Sequence, residues 1–224
     1  MPPTHHPTAW DDPSTRRAWT KLLTFAIAGQ IIWPVVWVGL LALYVVMSIT
    51  WTLWLFFIPM LYSFYRAFLQ PAYIIWALRT RRLLREYGWQ VFETPESGIG
   101  TIPDTTAGDV WLTFPTPEGP DEMVPVILRV HIRSAWWRRR LGRGFSTQKT
   151  AQAKTVWFAG DPRFAAVIAV PGPRRLYVIH QRPSYSKSVS AEAHGASPHA
   201  LERARRAGVH VPDPHSAASS TPGM

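Results

Sequence analysis

Residues 136–140 read Trp-Trp-Arg-Arg-Arg, with Arg143 close behind. Adjacent indoles beside a run of guanidinium groups suit contact with phosphate. The rings favour the headgroup layer of a bilayer, and each charge adds about 1 kcal/mol of attraction at an anionic surface. The same charges would serve the phosphates of a nucleic acid or an acidic protein. The plainer alternative is a long hairpin loop whose tryptophans cover an open end of the fold while its arginines stay solvated. Two further groups add to the basic surface. Arg129, His131 and Arg133 recur at every second position, so along a strand they project from the face opposite its core. Arg79, Arg82 and Arg85 fall on one side of a helix. Trp136, Trp137, Arg138, Arg139, Arg140, Arg143, Arg129, His131, Arg133, Arg79, Arg82 and Arg85 are therefore the candidate membrane or anion contacts.

Chemistry of bond making and breaking finds less support. The chain has no cysteine, which excludes thiolate metal sites, iron–sulfur clusters and a cysteine nucleophile. There is no Gly-x-Ser-x-Gly, His-Glu-x-x-His or Gly-x-x-x-x-Gly-Lys-Ser/Thr. His5 and His6 are adjacent, and His194, His199, His210 and His215 are scattered without the fixed spacing of metal ligands. Glu118, Asp121 and Glu122 lie in a Pro-rich loop with no basic partner nearby in sequence. Asp161 sits in a Gly-Asp-Pro turn, which its side chain would shape. No catalytic residue, cofactor or metal is expected, and an enzyme is the least favoured class. Trp111 and Trp157 lie on the outward alternation of their strands and are the candidates for stacking on single-stranded bases, although burial is the simpler expectation for both.

The elements that must position these residues begin with residues 22–65, which run between Lys21 and Arg66 without one Asp, Glu, Lys, Arg or His. A single crossing of a bilayer needs about 20 apolar helical residues. The run is about twice that, so it predicts a transmembrane hairpin over 13–65, with crossings at about 22–46 and 51–69 and a reversal near 47–50. It is too long for a cleavable signal sequence and lacks a small-x-small cleavage site. Asp12-Pro13 marks the helix start, with a capping carboxylate and a proline at the first helical position. Arg16, Arg17 and Lys21 precede the run, and Arg66, Arg79, Arg81, Arg82 and Arg85 follow it. The positive-inside bias then places both termini in the cytoplasm at the plasma membrane. With no ionisable side chain between them, the crossings read as an anchor or packing surface and not as a transport path.

Pro71 is expected to end the second crossing, leaving 66–87 as an interfacial amphipathic helix or linker. From Trp89 the apolar period changes to two. Six strands are predicted, at 90–93, 110–114, 124–133, 155–159, 165–170 and 175–181, separated by Gly- and Pro-rich joints that include 97–100. They define a small antiparallel barrel or sandwich over 88–185. Residues 1–12 and 186–224 are expected to lack fixed structure, apart from a short helix at 198–207 with Ser197 as its cap.

The formal charge of +10 adds an electrostatic preference for anionic partners. These readings converge on a non-enzymatic integral membrane protein that tethers a basic β-domain to the cytoplasmic face. Its expected partners are anionic lipid headgroups and a protein or a second copy of the chain. The alternatives are an accessory subunit of a secretion, DNA-transfer or envelope-assembly machine and, below that, a tethered nucleic-acid-binding module.

Overall fold

The computed structural model of the chain describes residues 6–47, 52–93, 95–99, 109–119, 121–128, 134–141, 155–180 and 196–209. It divides into two compact units, Arg17–Leu78 and Met1–Arg16 with Arg79–Met224.

Helix α1 spans Pro13–Met47 and helix α2 spans Thr52–Glu86. The start of α1 follows its sequence signal: Asp12 Oδ1 accepts from the Ser14 N–H at 3.0 Å and Asp12 Oδ2 from the Thr15 N–H at 3.2 Å. Burial pushes the Asp12 carboxyl up, but the hydrogen bonds from Ser14 and Thr15 outweigh it and hold the group below its ordinary value. Pro71 does not end α2, which continues through both Pro59 and Pro71 to Glu86, so 66–87 is not a separate helix. The reason is a comparison of costs. A proline inside a helix costs about 3 kcal/mol, whereas ending the helix there would give up the buried positions of Gln70, Tyr73 and Ala77 on either side of it.

Within the first unit α1 and α2 run antiparallel, because contacts that climb one helix descend the other. Trp19 Nε1–H donates to the Ala77 carbonyl at 2.7 Å, Trp33 meets Tyr62 edge-on at 5.4 Å, and Tyr44 meets Phe56 at 6.5 Å. The side-chain chemistry is inverted relative to a water-soluble helix pair. Phe25, Ile31, Val35, Val46, Trp54, Ile58 and Phe68 face outward, while Ser63 and Gln70 are buried. Among the described residues one helix, α1, is long and apolar enough to cross a membrane.

Among the described residues the second unit holds seven strands: β1 (Gln90–Glu93), β2 (Ser97–Ile99), β3 (Val110–Pro115), β4 (Met123–Leu128), β5 (Thr155–Asp161), β6 (Ala165–Val170) and β7 (Arg174–His180). All pairings are antiparallel, in one sheet ordered β1-β5-β6-β7 and a second ordered β2-β3-β4. Among the described residues no ladder joins the two sheets, so the barrel alternative is not met by a closed strand order. Strand β2 was expected to be a joint. It pairs because Gly98 stands opposite Trp111, whose indole lies so close that a Cβ on residue 98 would meet it at 2.3 Å. An aromatic ring covering a strand glycine restores the packing that the glycine lacks.

The four-stranded sheet is buried on both faces, which explains why β5 and β6 show no polar alternation. On one face Phe92 and Phe158 meet Phe114 of the smaller sheet, with Phe114 and Phe158 stacked at 4.3 Å. The other face carries Trp157, Ala159, Ala165, Val167, Ala169 and Val178. These pack against Leu83, Leu84 and Tyr87 from the end of α2, and against Ala9 and Ala207. Residues 6–12, expected to lack structure, therefore contribute Ala9 to the core, with Trp10 packed against it. They form a 3₁₀ turn at Ala9–Asp11, closed by a capping box between Thr8 and Asp11. Helix α3 (Ala135–Leu141) and helix α4 (Pro198–Arg206) complete the unit.

Candidate functional site

The Trp-Trp-Arg-Arg-Arg run is helix α3 and not a hairpin loop, and that changes what its residues can do. Successive helical residues point about 100° apart, so the two indoles face different surroundings. Trp137 is turned inward, 1% exposed, and its Nε1–H donates to the Arg175 carbonyl at 3.3 Å. Trp136 is half-buried and stands edge-on to it at 5.1 Å. Arg139 is exposed, while Arg138 and Arg140 are half-buried. The Arg140 guanidinium lies 4.0 Å from the Trp136 ring centre. A second guanidinium, that of Arg175, lies 5.9 Å from the same ring.

Arg174 and Arg175 open β7 directly after the Pro171-Gly172-Pro173 turn, and both are exposed. Sequence reading placed Arg175 only as the start of a strand. The signal was a turn tip carrying two adjacent charges. Arg175 has φ 58°, the left-handed region that non-glycine residues enter at a cost. Together α3 and this turn carry Arg138, Arg139, Arg140, Arg174 and Arg175, of which Arg140 and Arg175 reach the Trp136 ring, and neither segment contains an Asp or Glu.

Three of the other candidate contacts stand on α2. Arg79, Arg82 and Arg85 are exposed on the last turns of α2. Arg85 lies 5.6 Å from the Trp10 ring centre, and Arg82 packs on Gly208, where a Cβ would meet its Nη1 at 3.0 Å. Arg129, His131, Arg133 and Arg143 lie outside the described residues. Trp157 is buried beside Trp89, with ring centres 5.8 Å apart, and Trp111 is half-buried against Gly98, so neither offers an open face for a base.

A second cluster was not anticipated. Glu118, which has no basic partner nearby in sequence, finds one 45 residues on. Arg163 makes a two-pronged contact with Asp161, Nε to Oδ1 at 3.0 Å and Nη2 to Oδ2 at 2.7 Å, and its Nη2 also reaches Glu118 Oε2 at 3.0 Å. Glu118 in turn accepts from the Ser197 N–H at 3.1 Å and from the Ser197 hydroxyl. Ser197 caps α4 by accepting from the Ala200 N–H at 3.2 Å. Burial pulls the Arg163 guanidinium down, but the carboxylates of Asp161 and Glu118 outweigh it and hold it above its ordinary value. Burial likewise pushes the Glu118 carboxyl up, yet the hydrogen bonds from Ser197 and Arg163 keep it below the usual glutamate range.

The far end of α4 is held at the end of α2, where Arg203 Nε donates to the Glu86 carbonyl at 3.1 Å and Arg206 pairs with Glu86 at 3.3 Å. The Arg203 guanidinium also covers the Tyr87 ring at 4.4 Å. Burial, reinforced by the charge of Asp161, pushes the Tyr87 hydroxyl up to about 12. The Asp161 oxygens accept from Arg163 and the Glu118 oxygens from Ser197 and Arg163, so the cluster ties the end of β5 to the start of α4. Comparisons with protein-family models, with curated proteins and with solved structures find no match.

Proposed function

We propose that the chain is a non-enzymatic integral membrane protein. In this reading α1 and α2 cross the plasma membrane as a hairpin, and the β-unit is held at the cytoplasmic face with its basic surface toward anionic headgroups. The observation that carries this reading is the inverted helix pair. Large apolar side chains cover its outside, with Val46 79% exposed and Trp54 78% exposed, while Ser63 and Gln70 are turned in. Water would penalise such a surface at about 25 cal/mol for each Å² left uncovered, and soluble proteins rarely leave apolar patches beyond a few hundred Å². Lipid removes the penalty. The lack of any charge between Lys21 and Arg66, with arginines on both flanks, supports both termini lying inside.

Alkaline carbonate washing of membranes tests the anchor. The chain is expected to stay in the pellet, and release into the supernatant would contradict an integral hairpin. Extraction in a mild uncharged detergent tests the role. A chain recovered without other proteins supports a tether, whereas stoichiometric recovery of a second protein through α1 and α2 would make the hairpin a subunit surface of a larger machine.

A further inference from the structure

By sequence Arg66 marks the inner flank of the uncharged run, but the register of α1 against α2 puts it deeper. Within the unit Arg17–Leu78 the pairs Trp19 with Ala77, Gly29 with Gln70, Trp33 with Tyr62, Trp37 with Phe64 and Tyr44 with Phe56 share one antiparallel frame. In that frame Arg66 stands level with Trp33, and its guanidinium lies 5.2 Å from the Trp33 ring centre. Trp33 is twelve residues past Lys21, the last charge of α1, and fourteen short of Met47. At about 1.5 Å per residue these are about 18 and 21 Å, so Arg66 stands near the middle of the apolar belt. Large apolar side chains are exposed on both sides of its level: Phe25, Ile75 and Leu78 toward the charged ends, and Val46, Trp54 and Ile58 toward the turn.

A charge at mid-membrane depth is costly and is found where it is paired, and one aromatic face offsets only part of that cost. The unit Arg17–Leu78 contains no Asp or Glu. Among the described residues Arg66 makes no ion pair, and its Nε is buried without a hydrogen-bond partner. The surrounding layer is polar and also unsatisfied. Gln30 and Gln70 lie within about one turn of this level, and each buries an Oε1 that has no partner among the described residues. Arg66 is half-buried, so part of its side chain opens on the outside of the helix pair.

We propose that Arg66 is a docking point for the carboxylate of an Asp or Glu on a transmembrane helix of another protein. The planar guanidinium matches a carboxylate with two parallel hydrogen bonds. A second copy of the chain does not fit, because residues 13–85 contain no Asp or Glu and its helices would bring only a second Arg66. Headgroup phosphates do not fit either. They lie about 18 Å or more along the helix axis on either side, and side chains on α2 lean toward its N-terminal end, away from the cytoplasmic leaflet. The proposal rests on the reading of α1 and α2 as membrane crossings, and it gives that anchor a specific lateral surface.

Model helices test it. The probes are synthetic helices of about 20 leucines with a central Glu, a central Lys or no polar residue. The full chain, labelled at Ser48→Cys, is reconstituted with each labelled probe in phosphatidylcholine vesicles, and energy transfer reports association. The Glu probe should associate roughly tenfold more tightly than the all-leucine probe, and the Lys probe should gain nothing. Moving the Glu two turns toward either end of the probe should remove most of the gain. Arg66→Leu should abolish the preference. Arg66→Glu should reverse it in favour of the Lys probe, and that reversal also shows that the variant folds and inserts.

Equal association of the Glu and all-leucine probes with the unaltered chain would overturn the docking point. So would a Glu preference that survives Arg66→Leu. Energy transfer between copies of the chain alone, lost in Arg66→Leu, would assign Arg66 to self-association and overturn the heterologous partner. Carbonate extraction separates the two claims. A chain that leaves the pellet contradicts the crossings, whereas one that stays there without preferring the Glu probe contradicts only the docking point.

Discussion

At the scale of single residues, the strongest constraint is Arg163, buried with Asp161 and shared with Glu118. Removing one member of a buried ion pair leaves the other charge uncompensated and costs about 3–5 kcal/mol. Arg163→Met is therefore expected to lower the melting temperature of the β-unit sharply, measured by thermal denaturation of the detergent-solubilised chain, and an unchanged melt would contradict the geometry. Glu118 gives a pH dependence of definite sign. Its carboxyl sits below its ordinary value when folded, so the stability it contributes is complete above the unfolded value and fades as pH falls through the folded one. Acidification below the usual glutamate range should loosen α4 in exchange measurements, and Glu118→Gln should remove that acid-dependent step. Only the turn-shaping role of Asp161 was legible beforehand, and it is seen where Asp161 Oδ1 accepts from the Arg163 N–H at 2.9 Å. Glu118 and Asp161 were visible as acids, but their common partner is 45 residues from one and two from the other, and pairing over that distance is set by the fold.

Among the elements, helix starts and strand periods were legible because they are local. The Asp12-Pro13 start, the Ser197 cap and the alternation of Val110, Leu112 and Phe114 each depend on neighbours within a few residues. What could not be read was context. Pro71 carries a breaker's signal, yet the helix continues through it because breaking costs more than bending. Strand β2 hides behind Gly98, which a sequence reader takes for a joint until Trp111 is known to lie over it. Residues 136–140 carry no period-two alternation and too few residues for a helical repeat, so only the seat of Trp137 against Arg175 fixes them as a helix. Gly29 gives a test of helix pairing: a Cβ there would meet the Gln70 amide at 2.6 Å. Gly29→Val should thus displace the buried Gln70 amide and lower the detergent-phase melting temperature, while Gly39→Val, where a Cβ meets nothing within 4 Å, should leave it unchanged.

For the whole molecule, the proposed arrangement is a hairpin anchor with both ends inside, argued from the sequence's uncharged run, its basic flanks and the outward-facing apolar side chains of α1 and α2. The core of the β-unit also constrains how it can be studied. Ala9, Leu83 and Leu84 pack in the same cluster as Trp157 and Val167, so a fragment starting at residue 88 would lack part of its own interior. Such a fragment is expected to express poorly or to unfold at lower temperature than the full chain. The absence of cysteine from the 224 residues makes single-cysteine labelling possible without background. The most direct measurement places one cysteine at Ser48, in the expected outer turn, or at Ser97 in the β-unit, and treats intact cells with an impermeant maleimide. Labelling of Ser48→Cys with protection of Ser97→Cys until the membrane is opened is the expected result, and labelling of Ser97→Cys in intact cells would contradict the hairpin that holds the β-unit inside.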